Sequence, residues 1–569
     1  MCDTHNTSPY KGLEHDGHDL EHKTWSRRSF LQALGIAGSG SMMLGSNFLT
    51  ASAPSPLTAA IAGSETDHIL ILIRLAGGND GLSTVIPIEQ FDAYANARPN
   101  IYIPESKVLK LTDEYGVPSY MKSLEALWDE GQFKAVHGVG YENQSLSHFT
   151  GSDIFANTDL TTTGFKGLNT GWMGRYFEEE YPDYLISPPP APAAIQIGQF
   201  GSLVFQGEET NYAFVTSNVD QLEEIAETGV RYGLDETLFN DCMYGDQLRF
   251  LRGVANTTYE YSGIIHEAWA RGQNQVEYQD NSFARQLALL ARLIKGNLGT
   301  KVYMISLSGF DTHGNQPLVH ERLMSNLSIA VNHFYEDLAF TEQDDKVLSM
   351  TFSEFGRRIF ENGSNGTDHG KAAPTLFFGK GLNGSAFVGE HPTLDNPDGR
   401  GNLEYTMDFR DLYATVLAEW LCVPIPLVEQ HLLNHPYAPV NLGFNCSGTD
   451  FPDIVYSDGE PTIPTTPDGQ AEEPVVPNNE QLNAIVHKPY YPTEDSPHIY
   501  LEMPVTAHVD IQLFNIVGQN VGTIRNAIMS EGPNEINIKE SMPGYLAAGK
   551  YIYRIQVQDR KMSKSVMVA

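Results

Sequence analysis

Continuous apolar runs that stop abruptly at glycine, carboxylate and imidazole are the feature that most constrains this chain. His68 to Leu75 (HILILIRL) runs into Ala76-Gly77-Gly78-Asn79-Asp80-Gly81-Leu82-Ser83-Thr84, Val302 to Leu307 into Ser308-Gly309-Phe310-Asp311-Thr312-His313, and Lys346 to Ser353 (KVLSMTFS) into Glu354. A strand that is apolar at nearly every position must be buried on both faces, as in a parallel sheet covered by helices. The segments between the runs fit that layering. Phe283 to Leu298 places Leu287, Leu290, Leu293 and Ile294 at three- and four-residue steps, the period of one helix face. Further strands are expected over 133–139, 194–198, 203–206 and 374–378, and further helices over 118–128, 218–227, 244–255, 317–338 and 409–421. The fold class expected is α/β, a mainly parallel sheet sandwiched by helices. Such sheets bind ligands outside the carboxyl ends of their strands, which is where these clusters fall.

Each cluster offers candidate residues. Asp80 follows two glycines that let the backbone turn, and reads equally as a metal ligand, a turn residue or a helix N-cap. Asp311 and His313 follow the second run, and Glu354 the third, just before the basic pair Arg357-Arg358. Asn362 to Gly370 (NGSNGTDHG) is expected to be a flexible loop ending in the adjacent pair Asp368-His369, a combination suited to neighbouring ions. After the strand at 133–139, Ser147-His148 stands before a helical stretch. It is either a nucleophile or anion site at a helix start, or a capping serine beside a packing histidine. If Asp80, Asp311, His313, Glu354, Asp368 and His369 converge, their carboxylates repel one another and a divalent metal ion is the natural partner. DNPDGRGN at 395–402 has the composition of a calcium loop and equally that of a polar turn.

Charge and cysteine narrow the partners. The chain has 36 basic and 71 acidic residues, a formal net charge of −35, which repels nucleic acid and anionic lipid. Of four cysteines, Cys2 lies in a segment expected to be removed. Cys422 and Cys446 form one bridge in an oxidising compartment, or else Cys242, Cys422 and Cys446 are three buried thiols. No Cys-rich zinc spacing exists, so oxygen and imidazole ligands are expected for any metal.

The two ends differ from the middle. Ser26-Arg27-Arg28-Ser29-Phe30-Leu31-Gln32, followed by a moderately apolar stretch too short and weak for a membrane span, looks like a twin-arginine export signal, with cleavage after Ala62 preferred. Residues 451–480 form a Pro-rich acidic linker. From about Gln481 apolar residues alternate, as in Val509 to Asn515, Glu535 to Ile538 and Tyr551 to Val557, which predicts a small β-sandwich. VDIQLFNIVGQNV, LAAGKYIYRIQV and the terminal KSVMVA resemble the type A sorting domain of type IX secretion; a carbohydrate-binding sandwich is the competing reading. The expected organisation is therefore 1–62 leader, 63–450 core, 451–480 linker and 481–569 sorting domain. The partners implied are the twin-arginine and type IX machineries, and the expected location is the cell surface or beyond, after transit through the periplasm.

Read together, GGNDGLS, SHF, GFDTHGNQ, SEFGRR and GTDHG, in this order, resemble the exported family known as domain of unknown function 1501, over roughly Asp67 to Phe444. That family is similar in fold to the alkaline phosphatase and sulfatase superfamily. The resemblance implies that Asp80, Asp311, His313, Asp368 and His369 are metal ligands, with Glu354 placed to join them. It implies that Ser147 takes the place of the phosphate-accepting hydroxyl, with His148 beside it. The activity implied is metal-dependent hydrolysis of phosphate or sulfate esters; the alternative is a non-catalytic envelope or glycan-binding protein on the same fold. The chain departs from the hydrolase pattern in setting Asp80 behind two glycines and in separating Glu354 from the Asp-His pair.

Overall fold

The computed structural model describes residues 66–446 and 485–568, apart from 164–166, 182–183, 186–187, 209, 235–242, 396, 445, 491–496, 516–519, 543–548 and 558–559. The twin-arginine stretch, the Ala62 cleavage position, the linker, Cys2 and Cys242 lie outside the described residues.

The apolar runs become the central strands. In chain order these are β1 (Ile69–Ala76), β2 (Phe133–Gly140), β3 (Ala194–Ile197), β4 (Ala213–Thr216), β5 (Val302–Ser308) and β6 (Val347–Phe352). A hairpin of β7 (Gly356–Glu361) and β8 (Thr367–Gly370) follows, then β9 (Ala373–Phe378), β10 (Ala386–Val388) and β11 (Met407–Asp408). The spatial order is β10-β2-β9-β6-β1-β5-β3-β4, with β11 also on β2. All pairings are parallel except those of β9, which runs antiparallel to β2 and β6. The sheet is thus mixed and mostly parallel. Leu70 to Ile73 of β1, at its middle, are buried on both faces, the reason that run carries no polar alternation.

Helix α1 (His148–Asn157) follows β2, α2 (Ser282–Lys295) precedes β5, and α3 (Gln316–Ala339) follows it. The Asn281 side chain caps α2 by accepting the Ala284 N–H at 2.9 Å, and Leu287, Leu290, Leu293 and Ile294 are all buried in the cluster that holds β1 and β5.

Several expectations are corrected. Residues 203–206 are not a strand but a short 3-10 turn, Leu203–Phe205, because the Ser202 hydroxyl accepts the Val204 N–H and closes the chain on itself. The helix expected over 118–128 is confined to Leu124–Asp129, preceded by a 3-10 turn, whereas that over 244–255 extends to Met243–Arg271. Asp368 and His369 stand in a strand of the β7–β8 hairpin rather than in a flexible loop. Within the stretch expected as a calcium loop or polar turn, Asp398 accepts the Arg400 and Asn402 N–H groups and the Asn402 amide, and pairs with Lys371. Those contacts consume its carboxylate, so a polar turn describes it.

At the other end, described strands form two small antiparallel sheets, one of three strands and one of four. Val509, Ile511, Leu513, Tyr553, Ile555 and Val557 point alternately inward to one buried cluster shared with Ile499 and Leu501, as period-2 patterning requires. Among the described residues no helix is long and apolar enough to cross a membrane.

Cys422 and Cys446 are joined by a disulfide 24 residues apart in sequence, just after the wide π-type turn at Val416–Trp420. Cross-linking restricts the unfolded chain, so Cys446→Ser is expected to cost about 3 kcal/mol of stability. Denaturant unfolding of wild type and variant, each with and without reductant, checks this; equal midpoints would contradict it.

Candidate metal centre

Four strand ends converge at one edge of the sheet. β1 delivers Gly77, Gly78 and Asp80, β5 delivers Asp311, β6 delivers Glu354, and the turn after β2 delivers Ser147 and His148. The β7–β8 hairpin adds Arg357, Arg358, Asp368 and His369. The close approach depends on two glycines. A Cβ on Gly77, at φ +123°, would lie 2.3 Å from the Asp311 backbone nitrogen, and one on Gly78, at φ +88°, 2.4 Å from the Phe355 ring.

Asp311 is the hub. Its Oδ1 lies 3.1 Å from His369 Nε2, 3.1 Å from His313 Nε2 and 2.7 Å from Arg357 Nη2, and its Oδ2 is 3.4 Å from His148 Nε2. His148, Asp311 and His369 offer ligand atoms that all lie within 4.8 Å of one another. The two histidines are also turned by partners behind them. His369 Nδ1 faces the Leu146 carbonyl at 2.8 Å, and His148 Nδ1 faces Glu354 Oε1 at 3.0 Å. A carbonyl oxygen only accepts, so His369 Nδ1 donates to Leu146 and the ring turns its Nε2 toward Asp311. Two lone-pair-bearing atoms at hydrogen-bond distance need a shared cation, either a proton or a metal ion. Imidazoles whose far nitrogens are fixed by a carboxylate or a carbonyl are oriented as metal ligands are.

Burial favours the neutral form of Asp311, but the Arg357 and His369 hydrogen bonds and the neighbouring positive charge outweigh it and hold the carboxyl down at about 2. It is therefore ionised wherever a metal could bind.

The remaining expected residues divide. His313, half-exposed, bridges Asp311 and Asp368, with its Nδ1 3.6 Å from Asp368 Oδ1, so both carboxylates flank one imidazole. Glu354 is buried and spends Oε1 on His148 and on the Gly77 N–H, so it orients a ligand rather than joining the three-residue cluster. Asp80 stands apart: Arg98 grips it at 2.6 and 2.9 Å, Gln316 Nε2 donates to it at 2.5 Å, and all three residues are buried. Both Asp80 oxygens are thereby engaged away from the cluster. Ser147 is the N-cap of α1, yet its hydroxyl makes no capping bond, and the residue is exposed. His148 also packs at a tilt against Phe355 and edge-on to His369.

The sequence gives no role to two residues, Arg98 and Arg357. The SEFGRR motif flagged Arg357 without a role; Arg98 sits in an unremarkable polar stretch that gives no signal.

A profile of the family described as protein of unknown function (DUF1501) matches residues 262–432. No curated protein matches the chain. Among solved structures, a sulfatase from Pseudoalteromonas sp. is 12% identical, with 88% of this chain and 91% of that chain covered and a TM-score of 0.30. The alkaline phosphatase of the Antarctic bacterium TAB5 is 10% identical, covering 57% of this chain and 95% of that chain, at a TM-score of 0.24. The lipoteichoic acid synthase LtaP of Listeria monocytogenes is 9% identical, covering 86% and 91%, at 0.27.

Proposed function

We propose that this chain is an exported cell-surface hydrolase of phosphate or sulfate esters that uses a divalent metal ion held by His148, Asp311 and His369. The observation that carries the reading is the geometry around Asp311, where both histidines turn Nε2 inward while Glu354 and the Leu146 carbonyl hold their Nδ1 atoms. Two imidazoles and one carboxylate suit zinc or manganese better than the all-oxygen sets that calcium and magnesium prefer. When bound, the ion supplies positive charge that polarises the ester and lowers the pKa of a coordinated hydroxyl.

The chain's own groups supply the rest. Ser147 offers a hydroxyl at the start of α1, unspent on capping, beside His148. The first-turn N–H groups of this ten-residue helix point outward without helical partners and suit an anionic ester oxygen. Arg358, 3.4 Å from Asp368, adds a cation that can turn to the same anion.

The test is elemental analysis of the mature chain together with hydrolysis of p-nitrophenyl phosphate and p-nitrophenyl sulfate, with Ser147→Ala as control. A metal-loaded chain that cleaves one of the two, with turnover lost in Ser147→Ala, supports the reading; a chain that takes up no metal ends it. A second reading, a non-catalytic envelope or glycan-binding protein, is favoured by the commitment of Asp80 to Arg98. Metal uptake and glycan capture without cleavage of either ester would select it.

Export rests on the two ends of the sequence. Arg27→Lys with Arg28→Lys is expected to leave the chain in the cytoplasm, and deletion of 481–569 to hold it in the periplasm. Cell fractionation and surface proteolysis report both; surface display of either variant would refute that assignment.

A further inference from the structure

We infer that the arginines at this edge take the place of a second metal ion, with Arg357 foremost, so that the centre binds one divalent ion per chain; this rests on the metal reading above. Each of three carboxylates here is met by its own guanidinium: Asp80 by Arg98 at 2.6 Å, Asp311 by Arg357 at 2.7 Å and Asp368 by Arg358 at 3.4 Å. Only Glu354 has none, and it faces His148 and the Gly77 N–H. Four carboxylates against three arginines leave one negative charge, which a single divalent ion more than balances.

Arg357 cannot swing aside to admit another ion. It is fully buried, and its Nε donates to the Gly78 carbonyl at 2.9 Å and its Nη1 to that of Thr367 at 3.0 Å. Nη2 donates to the carbonyls of Phe310, at 2.9 Å, and Gly77 as well as to Asp311. These acceptors belong to the ends of β1 and β5 and to β8, so the guanidinium is fixed by the fold itself. A carboxylate that bridges paired ions gives one oxygen to each. Asp311 Oδ1 is already committed to Arg357, and a second ion there would meet a desolvated positive charge at contact distance.

The experiment titrates the metal-free full-length chain with manganese chloride and, separately, zinc chloride, by calorimetry and by equilibrium dialysis with elemental analysis. One ion per chain is expected for wild type and for Arg357→Lys, and a second, weaker ion for Arg357→Gln. Two ions in wild type would overturn the inference while leaving the metal reading intact, and so would a folded Arg357→Gln that still takes one. No ion in any of them would remove the metal reading itself. Should Arg357→Gln fail to fold, the wild-type stoichiometry still decides.

Discussion

Asp311→Ala is expected to lower divalent-metal affinity by more than about 100-fold and to abolish ester hydrolysis. Loss of a partner behind a ligand already costs 10- to 100-fold, and Asp311 is the group on which both ligand histidines converge. Asp311→Asn is the sharper comparison, since it keeps the shape and can still accept from Arg357 while deleting the charge. Calorimetric metal titration and ester turnover measure both variants. Near-wild-type metal binding by Asp311→Ala would sink the proposed centre. The carboxyl is held at about 2, so folded protein keeps it ionised on acidification well below the usual carboxylate range. Its contribution to stability is present above the unfolded carboxylate pKa of about 3.9 and disappears only as pH falls through about 2. The residue is half-exposed, so solvent screening keeps that contribution small.

Arg98→Ala is expected to be the most destabilising single change at this edge. It would strip a fully buried carboxylate of its bidentate partner, and breaking such a pair from one side costs about 3–5 kcal/mol. The guanidinium also donates to the carbonyls of Ile359 and Arg358, so the variant orphans backbone of the β7–β8 hairpin as well. The double variant Asp80→Ala with Arg98→Ala is expected to recover part of the loss, because no buried charge is then left alone. Burial pushes the Asp80 carboxyl up, but the charge and hydrogen bonds of Arg98 prevail and the net shift is downward. The stability it contributes is therefore present above about pH 3.9 and lost as pH falls through the lowered folded value. Denaturant unfolding of wild type and the two variants, repeated between neutral and acidic pH, reports all of this. An Arg98→Ala midpoint equal to wild type would refute the account.

The sequence by itself determined the layering and the edge at which the polar clusters gather. HILILIRL, apolar at nearly every position, could only be a strand covered on both faces, and β1 stands at the middle of the sheet with parallel partners on either side. Because parallel strands end on the same side, the clusters after β1, β5 and β6 had to share an edge, so Asp311 and Glu354 were legible as neighbours there. The alternation from Val509 to Val557 likewise dictated inward-facing strands. Such signals survive in one dimension because a residue's solvent environment repeats with the period of its own element.

The tertiary structure alone decided what each charged group does. Asp80 and Asp311 read alike, each an aspartate just past a buried strand and a glycine. One is closed into an ion pair with Arg98, 18 residues away, and the other is left open to two imidazoles while touching Arg357, 46 residues away. His148 became a candidate ligand because Glu354, 206 residues distant, turns its ring. Residues 203–206 became a 3-10 turn because Ser202 caps it locally, against the apolar pattern. Pairing of this kind depends on which side chains the packed sheet brings within about 3 Å, where hydrogen bonds and close ion pairs form. No local periodicity encodes that distance.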